Sequence, residues 1–70
     1  MLTPSDIPQL VQYQTDLKAF VESELNFQIS KYPEKSIDNN FRALNAASIS
    51  VQQAINSLGL IIKNLNETQI

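Results

Sequence analysis

The sequence predicts an all-α fold, an antiparallel two-helix hairpin completed as a four-helix bundle by self-association. Three observations carry this expectation. The chain has a single glycine, Gly59, and only three prolines, Pro4, Pro8 and Pro33, so it lacks the recurrent turn chemistry of a sheet protein. From Ala43 to Ile62 no residue is charged, and large apolar side chains recur there at alternating steps of three and four, the period of a packed helix. A second amphipathic stretch lies before Pro33, so one turn joins two helical segments.

Helix one is expected over about residues 5–31 of a single domain, 1–70. Thr3-Pro4-Ser5-Asp6 reads as a helix start, with a capping hydroxyl, proline at the first helical position and an acid three residues past the cap. Pro8 removes an early donor, which leaves Ser5 or Asp6 as competing starts. Leu10, Tyr13, Leu17, Phe20, Val21, Leu25 and Phe27 cover an arc of roughly 160°, wider than a two-helix contact uses. One flank of that arc is aromatic, because Tyr13, Phe20 and Phe27 recur every seventh residue. Glu24 falls inside the arc. If buried there it needs a partner, Lys31 or a group from another chain, and it then fixes register; otherwise its carboxylate reaches out at the rim. Gln14 and Ser48 are similar polar interruptions of the apolar rows, of the kind that specifies pairing.

Pro33 disfavours helix at Tyr32, which places the turn at about 32–36. Ser36 then offers a cap, with Asp38 in the following turn, and helix two is expected over about 36–66. Its seam is Ile37, Phe41, Leu44, Ser48, Val51, Ile55, Leu58, Ile62 and Leu65, with eight of nine positions apolar. The uncharged run of 20 residues has the length of a bilayer span, but seven of its residues are Asn, Gln or Ser, a heavy polar load for hydrocarbon. The run is therefore expected to be a bundle helix. Beside the seam runs a stripe of small residues, Ala43, Ala47, Ser50, Ala54 and Ser57, about 100° around the helix. Small side chains let helix axes approach closely, although Ala and Ser also serve as ordinary surface residues of a helix. After Leu65 the seam is lost, and the C-terminal residues are expected to fray.

Composition narrows the function. A 70-residue chain buries only about 60% of its unfolded surface, so a lone core is marginal, and small proteins recruit disulfides, metals or further copies. With no Cys and no His, disulfides, thiolate or imidazole metal sites and the commonest general base are all missing. One glycine excludes a phosphate-binding loop. No calcium-loop spacing of acids occurs, and Glu22 and Glu24 point to different helix faces. No catalytic residue, cofactor or metal is expected. The net charge of −2 and the scattered Lys18, Lys31, Lys35, Arg42 and Lys63 give no basic face for nucleic acid and little attraction to a membrane surface. The N-terminal residues have no signal-peptide pattern, so a cytoplasmic setting is expected, and Asn66-Glu67-Thr68 is then a sequon without consequence.

These readings converge on an interaction protein. An isolated hairpin leaves the aromatic flank or the small-residue stripe in water, and exposed apolar stripes of that length mark an interface. The expected interface is Tyr13, Phe20, Glu24, Phe27, Ala43, Ala47, Ser50, Ala54 and Ser57, and the expected partner is a second copy, as dimer or tetramer. The alternative is a small chaperone, adaptor or inhibitor whose groove receives an amphipathic helix of a different protein. Secretion co-chaperones and phage or bacterial regulators include hairpins of this build, a likeness of architecture alone.

Overall fold

The computed structural model describes residues 1–67. It is a helical hairpin, 50 Å long and 17 × 16 Å in section. Helix one opens with a 3-10 turn, Pro4–Asp6, continues as α-helix over Ile7–Ala19, widens into a π-helical segment at Phe20–Leu25 and closes as α-helix at Asn26–Ile29. Helix two is α-helical over Asn39–Glu67. The fraying expected after Leu65 concerns mainly 68–70, outside the described residues, and Asn66 and Glu67 are helical.

The N-terminal start is the one the sequence suggests. The Asp6 carboxylate accepts from the Thr3 backbone N–H at 2.8 Å, and the Asp6 N–H donates to the Thr3 carbonyl at 2.9 Å. Helix two begins three residues later than expected, because Asp38 rather than Ser36 caps it. Its carboxylate accepts from the N–H groups of Asn40 at 2.7 Å and Phe41 at 3.4 Å. A charged acceptor at the helix N-terminus gains from both the hydrogen bond and the dipole. Ser36 is used one step earlier, where its Oγ accepts from the Asp38 N–H at 3.1 Å and shapes the turn. Ile37 consequently lies outside the helix and is 82% exposed, so it does not belong to the seam. Helix one ends at Ile29, two residues short of the expected end, in a turn carried by hydrogen bonds from Lys31 to Gln28 and from Tyr32 to Ile29. The Tyr32 and Phe41 rings, with centroids 5.7 Å apart, close that end of the hairpin.

From Phe41 to Leu65 every position of the helix-two seam is buried or half-buried. The matching positions of helix one are Leu10, Gln14, Leu17, Val21, Leu25, Ile29 and Tyr32. Their steps are four, three, four, four, four and three, one residue more than a regular alternation of three and four. In a straight α-helix three successive steps of four carry a stripe off the seam, since each residue advances about 100°. The π segment spans the middle one of these steps, Val21 to Leu25. A wider turn, closed by i→i+5 bonds such as that from the Asn26 N–H to the Val21 carbonyl, takes up one surplus residue. Val21 and Leu25 both stay buried as a result.

Deleting Ser23, an exposed residue of the π segment, restores the regular alternation. The deletion should leave the urea-unfolding free energy, at fixed protein concentration, within about 1 kcal/mol of the parent. Deleting Asp16 from the regular α segment should cost more than about 2 kcal/mol by turning Ile7 and Leu10 off the seam. Equal losses for the two deletions contradict this account of the π segment.

Candidate interaction face

The hairpin has two long faces, and their residues follow from the seams. In an antiparallel pair of right-handed helices, residues one position after each seam project to one side, and residues one position before each seam project to the other. A shallow groove runs along the first side. It is lined by Lys18, Glu22 and Asn26, which follow Leu17, Val21 and Leu25, and by Gln52 and Asn56, which follow Val51 and Ile55; Val21 and Ile55 form its floor. That face is polar.

The opposite face carries the residues one position before the seams. From helix one these include Tyr13, Asp16, Phe20 and Glu24; from helix two they include Ala43, Ala47, Ser50, Ala54 and Ser57. Eight of the nine residues that the sequence picks out thus share one side, and all eight are exposed. The Tyr13 and Phe20 rings are 47% and 44% exposed. Glu24 is exposed as well, so the buried, register-fixing role does not hold within the hairpin. Phe27 is set apart. It follows Leu25 by two positions, so beyond the π segment it faces outward from helix one; its ring is 59% exposed and lies 4.9 Å beneath the Lys31 ammonium. The seven-residue spacing puts Phe27 in line with Tyr13 and Phe20 only in an uninterrupted α-helix.

Two cross-helix contacts fix the heights. The Gln14 side-chain amide donates to the Ile55 carbonyl at 3.0 Å, and a methyl group built on Gly59 comes within 3.3 Å of the same Gln14 nitrogen. At the other end Tyr32 lies level with Phe41. Counting between these points, Tyr13 is level with Ser57 and Phe20 lies between Ser50 and Ala54. Gln14, a polar member of an apolar seam, therefore has a defined task. It supplies a directional bond across the hairpin, and Gly59 leaves the space for it.

Sequence reasoning missed Val11, Ile49 and Leu60, which are also exposed. None lies on either stripe. Ile49 and Leu60 are eleven residues apart, about three full turns, and that spacing was the available signal. Among the described residues no cluster of acidic side chains is placed to hold a metal ion, and no helix is long and apolar enough to cross a membrane. Set against known protein families, curated proteins and solved structures, the chain matches none. The described residues thus define an all-helical hairpin.

A double-mutant cycle checks the Gln14 contact. In a Gln14→Ala background, Gly59→Ala should stabilise the hairpin by about 1 kcal/mol through helix propensity. In the parent the gain should be smaller by several tenths of a kcal/mol or more, because the added methyl group crowds the hydrogen bond. Identical gains in both backgrounds show that Gln14 and Gly59 are not coupled.

Proposed function

We propose that this protein is a non-catalytic protein–protein interaction module, a helical hairpin that completes its core by associating with a second copy as a four-helix bundle. The unfinished core carries this reading. Among the described residues only Leu10, Val21, Leu25, Ile55 and Leu65 are buried, each still 7–9% exposed, and no side chain is fully enclosed. The radius of gyration is 15.7 Å, against about 11 Å for a compact domain of this length. The accessible surface is 5304 Å², whereas a compact monomer of this mass exposes about 4,400 Å². The excess, roughly 900 Å², is close to what one partner contributes to a standard interface.

A helix from a different protein is the competing occupant. The open groove beside Val21 and Ile55 suits it less well, since Lys18, Glu22, Asn26, Gln52 and Asn56 line it and an apolar helix face would strip water from them. Catalysis plays no part in the proposal. The chain has neither His nor Cys, and its function rests on contacts.

The test is the mass of the purified protein by light scattering across a hundredfold dilution, with helicity followed in parallel. A dimer, or a dimer of dimers, that dissociates with loss of helicity is the expected result. A monomer that stays fully helical at every concentration overturns the proposal.

A further inference from the structure

The face that carries Tyr13 and Phe20 is self-complementary in one orientation, and we propose that a second copy of this chain covers it with both turns at the same end of the bundle. This rests on the self-association proposed above and specifies its geometry. On this face, helix one presents the Tyr13 and Phe20 rings, with Asp16 and Glu24 beside them, and helix two presents Ala47, Ser50, Ala54 and Ser57. Two copies can meet here by either of two two-fold axes lying in the interface. An axis across the helices stacks helix one on helix one and helix two on helix two. Rings then crowd rings, and small side chains face small side chains across a gap, an arrangement that close packing disfavours.

An axis along the helices stacks helix one of each copy on helix two of the other and keeps every residue at its own height. Phe20 is level with the gap between Ser50 and Ala54, and Tyr13 is level with Ser57, as the Gln14–Ile55 and Tyr32–Phe41 contacts establish. Each ring therefore lies over small residues of the other copy, twice by symmetry. Large against small is the pairing that fills a four-helix core at uniform spacing. Adjacent helices remain antiparallel throughout, and Asp16 and Glu24, both exposed in the hairpin, stay at the rim with their carboxylates in water. The excess surface of the whole hairpin over a compact monomer, roughly 900 Å² per chain, is comparable to what a stable dimer removes from each partner.

The absence of cysteine gives a direct test. Glu34→Cys in the exposed turn provides a single site for a nitroxide label, and the distance between the two labels in the dimer reads the orientation. With turns at the same end, and helix layers about 10 Å apart, the labels should lie within roughly 20 Å. A separation near the 50 Å length of the hairpin overturns the arrangement while leaving self-association standing. No inter-label distance, together with a monomer mass, overturns self-association and this inference with it.

The choice of face is tested with one added carboxylate on each side. Ala54→Glu should weaken dimerisation by at least about tenfold, by placing an unpaired charge in the interface, and Gln52→Glu on the polar face should change it by less than about threefold. Equal effects, or a larger effect at Gln52, contradict the assignment of the face.

Discussion

Two helices can share only one seam. Each offers the other a single stripe of side chains, and an apolar residue off that stripe has no second helix to cover it. The structure follows from this constraint. The seam of helix two from Phe41 to Leu65 is covered over its length, yet among the described residues no side chain is fully enclosed, because a pair of cylinders touches along a line. Tyr13 and Phe20 flank that line on one face, and the stripe from Ala43 to Ser57 flanks it on the same face. The hydrophobic effect scales with area removed from water, and here much of the available apolar area remains outside. An elongated molecule with excess surface is the result.

Within the seam, two features reconcile an imperfect pattern with regular packing. Helix one carries one residue more than an alternation of three and four allows, and the wide turn at Phe20–Leu25 absorbs it. The same adjustment separates Phe27 from the other two aromatic residues, so a local change of helix type decides which side chains share a face. Gln14 replaces an apolar knob with a hydrogen-bond donor aimed at the Ile55 carbonyl. A directional bond of this kind opposes sliding of one helix along the other, which apolar contacts alone resist weakly. Gly59 contributes by having no side chain at that height.

Much of this was legible in the sequence, for physical reasons. The seam of helix two is long and regular, and periodicity sustained over many turns identifies both helix and buried face. The break at Pro33 and the small-residue stripe could be read in the same way. The π segment could not. Its signature is one surplus residue between Val21 and Ile29, and with Phe20 and Phe27 nearby the apolar arc appears continuous whichever register is chosen. The start of helix two was misjudged because Ser36 and Asp38 are both good caps, and the stronger charge-assisted acceptor takes the position. Glu24 falls inside the apolar arc of the sequence because a helical wheel at a constant 100° per residue ignores the wide turn at Phe20–Leu25. The exposed Val11, Ile49 and Leu60 were passed over because they lie off both stripes.

The two faces of the hairpin differ in kind. One is lined by charged and amide side chains over an apolar floor; the other combines rings and small residues, with Asp16 and Glu24 as charged members. A protein whose core is finished by its own copy couples folding to association, and its stability then depends on concentration. The most direct measurement is the midpoint of urea unfolding over a hundredfold range of protein concentration. The account predicts that the midpoint rises steadily with concentration. A midpoint that stays constant means that the two helices fold as a finished unit, and it contradicts the account.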